Sequence, residues 1–261
     1  MLRSLYTAAS GMNAQELKMD VISNNLANAG TTGFKKERAE FESLLSETMR
    51  EAQAPDPRGG TEPGGLQVGL GVRAGSTTRS LAQGDLTQTN NQTDLAITGT
   101  GFFQVQRQNG DIAYTRAGNF MVDATGRLVT QHGEIVQPNI TVPNDTTALT
   151  IAQDGTVTAT VAGQANPSTL GQIELATFVN PGGLSDLADN LLGATAASGQ
   201  AIRLKPGEQG AGTLSQGFLE NANVKAVEEM VDMISTQRAY ELNSKVIQTA
   251  DQMLQRLTNL R

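Results

Sequence analysis

The 261-residue chain has no cysteine, no tryptophan, one histidine and three tyrosines. Without cysteine no disulfide holds the fold, and the lone His132 leaves transition metals without their usual nitrogen and sulfur ligands. Without tryptophan the chain lacks the aromatic platforms expected of a saccharide-processing β-protein. No run approaches the roughly 18 apolar residues of a membrane span, so no membrane insertion is expected. The opening MLRSLYTAASGMNAQELKMD is interrupted at Ser4, Thr7 and Ser10 and does not read as a cleaved signal peptide.

Two further scarcities are local. Apart from Gly11, every glycine lies between Gly30 and Gly217, and every proline between Pro55 and Pro206. Ends free of helix breakers around a middle full of turn formers predict an α+β chain, with terminal helices flanking an antiparallel β-rich body. Charge is uneven too. Residues 1–36 carry four basic and two acidic groups, residues 218–261 five and six, and residues 37–217 ten and eighteen. An acidic body argues against nucleic acid as a partner, because that partner needs a basic stripe.

The terminal segments repeat every seven residues. Leu5, Met12, Met19 and Leu26 form one seam, with Ala8, Gln15 and Ile22 three residues after its first three members. Ala226, Met233, Tyr240, Ile247 and Leu254 form the other, with Met230, Ala250 and Leu257 beside them. A helix from about Asn223 to Thr258 is expected, roughly 50 Å long at 1.5 Å per residue. Val227, Val231, Ile234, Leu242, Val246, Met253 and Leu260 widen its apolar stripe beyond a two-stranded seam. The two helices can form one coiled-coil-like hairpin, or pack on copies of themselves in neighbouring molecules. So much apolar circumference favours the second.

Between Ser23 and Lys36, SNNLANAGTTGFKK ends the first helix. Asn24 and Asn25 fall in its last turns, and Asn28 with Gly30 supplies a left-handed C-cap. Thr31 to Gly33 reads as a turn, Phe34 as an anchor on a neighbouring surface, and Lys35 and Lys36 as solvated. KKERAEFESLLSETMREA reads as a second amphipathic helical segment. QAPDPRGGTEPGG (53–65) fits no regular element. Further on, Asn109-Gly110 and Asp154-Gly155 predict type I′ hairpins, with turns also at 123–126 and 132–133. GQIELATFV predicts another strand. The domains expected are 1–35 with 220–261, 36–65 as helical segment plus insert, and 66–219 as the β-rich part.

No chemistry stands out, so neither catalytic residues nor cofactor are expected. His132 precedes a glycine in a turn. Asp111, Asp123 and Asp154 are explained by turn propensity. GTGFF (99–103) lacks the full GxGxxG and a following helix, and no GxSxG is present.

SGMNAQELKMDVISNNLANAGTTGFKK resembles the N-terminal signature of the bacterial flagellar rod and hook family. QGDLTQTNNQTDLAITGTGFFQV and YTRAGNFMVDATGRLVTQHGEIVQP resemble its central β-domain, and GFLENANVKAVEEMVDMISTQRAYELNSKVIQTADQML its C-terminal helix. Length and the insert between Met49 and Leu66 most resemble the distal-rod members. The resemblance implies a structural subunit that polymerises with itself into a helical tube, the terminal helices inside and the β-domain outside. It makes Leu5, Met12, Met19 and Leu26, and Met233, Tyr240, Ile247 and Leu254, the residues facing partner helices. Asn24, Asn25, Asn28 and Gly33 match the family's junction of inner helix and outer parts. The implied partners are proximal rod proteins, the hook protein and the surrounding P-ring and L-ring proteins. The implied location is the basal body across the periplasm, reached through the flagellum's own export channel. The alternatives are a proximal rod or hook subunit, or a β-rich polysaccharide-active enzyme.

Overall fold

The computed structural model describes residues 2–50, 65–162 and 166–259. The insert at 51–64, with its Pro/Gly-rich sequence, lies outside the described residues. The fold is α+β, and the chain divides into two compact units, 1–26 with 37–78 and 226–261, and 27–36 with 79–225.

The first unit holds both long helices, α1 (Leu2–Ala27) and α2 (Ala226–Asn259). They run antiparallel, since Asn25 bonds Glu229 while Gly11 lies against Asn243. A side chain at Gly11 would press on the Asn243 amide, so the helices approach closely there. Glu228 and Glu229 in the first turn of α2, and Arg256 in its last, complement the helix dipole.

The remainder of this unit corrects the sequence reading. Residues 37–50 are extended, not helical. Strand β1 (Glu37–Ser43) is followed by β2 (Glu47–Arg50), β3 (Leu66–Val68) and β4 (Val72–Arg79); β1 pairs β4 and β2 pairs β3 in a two-stranded ribbon. Glu37, Ala39 and Phe41 are half-buried while Arg38, Glu40 and Glu42 are exposed, a period of two. Pairing with β4, which carries the β-branched Val72, Thr77 and Thr78, overrides local helix propensity. Across the ribbon Arg73 grips Glu42 through Nε and Nη2 at 2.9 and 2.7 Å.

The second unit is antiparallel β. Its strands are β5 (Leu86–Gln88), β6 (Leu95–Thr98), β7 (Phe102–Gln106), β8 (Ile112–Thr115), β9 (Met121–Val122), β10 (Leu128–Val129), β11 (Ile135–Gln137), β12 (Thr146–Ile151), β13 (Thr156–Val161), β14 (Ser168–Gln172), β15 (Leu175–Thr177), β16 (Ser185–Asp186), β17 (Leu192–Gly193), β18 (Ile202–Leu204), β19 (Thr213–Gln216) and β20 (Phe218–Glu220). The main sheet runs β16-β17-β8-β7-β11-β10-β9, and one edge of β7 is shared by β11 and β15. Strands β12-β13-β14 form a second sheet, β19 pairs β6, and β20 pairs β5. GQIELATFV is split between β14 and β15 rather than forming one strand.

Adjacent Phe102 and Phe103 serve different cores, as alternation along a strand requires. Phe103 packs edge-on to Phe120 at 5.0 Å in the main cluster, with Leu95, Ile97, Val105, Val157, Leu175 and Leu214. Phe102 joins Tyr114, Phe178, Leu184 and Leu192 in a smaller one.

The hairpins are where expected, but their turns are one residue longer than type I′. Gly110, Gly126, Gly133 and Gly155 each donate to the carbonyl three residues back, and each has positive φ. Asn109 and Asp154 do not have positive φ. All four are type I turns closed by a left-handed glycine, the three-residue loop that matches strand twist with one positive φ instead of two.

Candidate functional site

Two apolar faces divide α2. On one, Glu229, Thr236 and Ala250 are buried, and Met233, Asn243, Ile247 and Leu254 are half-buried, with Tyr240 at the edge at 40% exposure. This face meets α1, where Ala8, Ala14, Val21, Ile22 and Asn25 are buried and Leu5, Met12, Met19 and Leu26 half-buried. The seven-residue seams therefore lie largely at the intrachain pairing, with Leu5, Met12, Met19 and Leu26 along its flank.

The opposite face of α2 is bare. Val227, Val231, Ile234, Leu242, Val246 and Met253 are 70, 61, 51, 66, 45 and 54% exposed. On a wheel of 100° per residue they fall within about a third of a turn. Tyr6 of α1 is 80% exposed. On the ribbon, Leu45, Met49 and Leu66 are more than half exposed.

Side-chain amides in the last turn of α1 and just after it each hold nearby groups of their own unit. Asn25 donates to the Glu37 carbonyl at 2.9 Å and to Glu229 Oε2 at 3.2 Å, and accepts from the Glu37 N–H at 2.9 Å. It thus saturates the backbone of the first β1 residue while holding a carboxylate of α2. Asn24 is exposed. In the second unit Asn28 accepts from the Thr31 hydroxyl at 3.2 Å and, through its carbonyl, from the Thr31 N–H at 3.0 Å. Phe34 is half-buried. Gly33 has φ +71° and donates to the Glu220 carbonyl at 2.8 Å; a Cβ there would sit 2.5 Å from the Ala117 nitrogen. Only glycine fits.

Lys35 is not solvated. Its side chain is 4% exposed, and its Nζ donates to Glu220 Oε1 at 2.6 Å and to the Ala82 carbonyl at 2.8 Å. Arg116 Nε donates to Glu220 Oε2 at 2.6 Å, and the Gly84 N–H to Oε1 at 2.9 Å. Glu220 is fully buried. Burial pushes its carboxyl pKa up, but Arg116, Lys35 and the Gly84 N–H outweigh this and hold it below the ordinary value. Burial pushes the Lys35 ammonium down, only partly offset by Glu220. Nearby, Asn223 accepts from the Lys36 N–H at 2.7 Å and donates to the Ser80 and Ala82 carbonyls, both at 2.9 Å. Sequence reasoning missed Arg116, Glu220 and Asn223. Their only signal is a charge or amide inside otherwise strand-like or turn-like text.

His132 stands in its turn, exposed, 3.7 Å from Asp189. Asp123 and Asp154 hold turns. Asp123 Oδ1 accepts from the Thr125 hydroxyl and N–H and the Arg127 N–H, which keep its carboxyl far below the usual range. Asp154 is lowered by the Thr156 N–H and then its hydroxyl. Among the described residues no His/Cys/Asp/Glu group is arranged to hold a metal ion, and no helix is long and apolar enough to cross a membrane.

Three family profiles match in order. They are the flagella basal body rod protein at residues 5–35, the flagellar hook protein FlgE/F/G D1 domain at 96–159, and the flagellar basal body rod FlgEFG protein C-terminal at 215–260. The chain is 50% identical to the flagellar basal-body rod protein FlgG of Buchnera aphidicola subsp. Acyrthosiphon pisum, over the full length of both. It is likewise 50% identical to that of Caulobacter vibrioides over both full lengths, and 48% to that of Borreliella burgdorferi over 100% of this chain and 99% of the relative.

Proposed function

The chain belongs to the flagellar basal-body rod family, and from that membership we propose that it is a structural subunit of the distal rod. It polymerises with itself into a rigid helical tube that carries motor torque to the hook. The observation that carries this reading is the bare apolar face of α2, on a helix whose other face is already occupied by α1. About 1.5–3 kcal/mol accompanies full burial of each large aliphatic side chain. Six such residues offer at most roughly 9–18 kcal/mol, against about 4–15 kcal/mol for association. One such contact is marginal. A tube that also covers the exposed Tyr6, Leu45, Met49 and Leu66 adds to it.

In such a tube the Val227–Met253 face, Tyr6 and the exposed flank of α1 pack against other copies. Met233, Ile247 and Leu254 support the hairpin that presents them. The partners at its ends are proximal rod proteins and the hook protein, with P-ring and L-ring proteins around it. The location is the basal body across the periplasm, reached through the flagellum's own export channel. No catalytic role is assigned: the conspicuous buried charges, Lys35, Arg116 and Glu220, are engaged with one another in ion pairs inside the second unit.

The test is to image polymers of the purified chain and of a variant lacking residues 53–65. Straight tubes that become more compliant on deletion support a distal rod stiffened by its insert. Tubes of unchanged stiffness favour a proximal rod or hook subunit, and a chain that never polymerises contradicts the reading.

A further inference from the structure

Lys35 and Arg116 hold more donors than they use. An ammonium has three N–H groups and a guanidinium five. Lys35 spends two, on Glu220 and the Ala82 carbonyl. Arg116 spends four, on Glu220 and on the carbonyls of Gly101, Gly99 and Ile97. One N–H of each remains, and both side chains line the same cavity of about 240 Å3.

The charges do not balance either. Two cations share one carboxylate, and no acidic side chain is among the residues lining the cavity. The side chains of Lys35 and Arg116 are 4% and 7% exposed, so water screens the surplus positive charge poorly. The rest of the lining sets the polar Thr100, Thr177 and Gln209 beside residues of another kind. Leu81, Phe102, Phe178 and Pro181 are apolar, and Gly99, Gly101 and Gly210 bring bare backbone to the lining.

We propose that this cavity binds a monocarboxylate on an apolar stem, its oxygens taking the spare N–H groups of Lys35 and Arg116 and its stem lying on Phe102 and Phe178. A single negative charge balances the surplus; a doubly charged phosphate exceeds it and wastes the apolar wall. A neutral amide leaves the charge uncompensated. The carboxylate can come from a free small acid or from a glutamate side chain of a second copy. The site itself does not depend on the rod reading.

The probe is 3-phenylpropionate, titrated into the full-length unassembled chain while the Gly99, Gly101 and Gly210 amides are followed by NMR. Saturable shifts are expected, with 3-phenylpropanamide at least about tenfold weaker, as loss of charge-assisted hydrogen bonds requires. Lys35→Met should weaken the acid by a similar factor. If that variant misfolds, Leu81→Trp fills the cavity while leaving the three charged residues in place, and should abolish binding. No saturable shift in the parent chain, or equal affinity for acid and amide, overturns the proposal. In polymer, exclusion of the probe identifies a neighbouring copy as the source of the carboxylate, and undiminished binding a free acid; both uphold the site.

Discussion

Asn25 makes three hydrogen bonds from a nearly sealed position, two of them to the backbone of a single residue. Alanine there removes the amide that pairs with both half-buried Glu37 backbone groups and a donor to Glu229. A loss of about 1–3 kcal/mol is expected, read as a lower urea midpoint for the helical signal in circular dichroism. The sequence offered three asparagines in this stretch without ranking them, because composition cannot say which amide meets a β-strand twelve residues on. The same blindness put Lys35 in water. Its partner Glu220 is 185 residues away, and a lone basic residue after a turn carries no mark of that.

Acid should find the second unit through its carboxylates. Glu220, Asp123 and Asp154 all have folded-state pKa values below their ordinary ones. A depressed folded pKa means that the unfolded chain binds more protons in acid. The stability these groups contribute is complete above their unfolded values, about pH 4 to 4.5, and is lost as pH falls through the folded ones. The urea midpoint of the β signal should therefore hold from pH 7 to 5 and decline below about pH 4. Asp123→Asn with Asp154→Asn should lower the neutral-pH midpoint and make the acid decline shallower.

Among the elements, α2 is legible to within three residues at its start and one at its end, since its heptads and lack of breakers leave no competing reading. The ribbon is not. Residues 37–50 contain Phe41, Leu44, Leu45 and Met49 at spacings a helix tolerates, and only the pairing partner decides the outcome. The hairpin turns were legible in place but not in type, because a glycine after Asn or Asp serves a type I′ turn and a type I turn with bulge equally well. The faces of α2 are separable by mutation. Val231→Asp on the bare face should abolish polymerisation, because the charge would be buried without a partner in the assembly, while leaving the monomer's circular dichroism unchanged. Met233→Asp on the inner face should lower monomer helicity as well. A Val231→Asp chain that assembles normally would remove the bare face from the interface.

At the scale of the whole molecule, the two units are unequally built. The β unit closes on an extended core of fully buried side chains, whereas the helical unit buries mainly alanines, Val21 and Ile22. A helix pair with so thin a seam draws its stability from neighbours. That division of labour was visible as a contrast between ends and middle. Which seam stays at home and which goes abroad was not, because a 34-residue helix with apolar residues on two faces looks in sequence like one broad stripe.

The absence of cysteine makes the central claim directly measurable. With Ile234→Cys as the only thiol, maleimide labelling reports whether the bare face of α2 is covered. Fast labelling of the monomer and at least about tenfold slower labelling of the polymer are predicted, as burial against another copy demands. Equal rates in the two states would show that the chain assembles through some other surface, and would contradict the account.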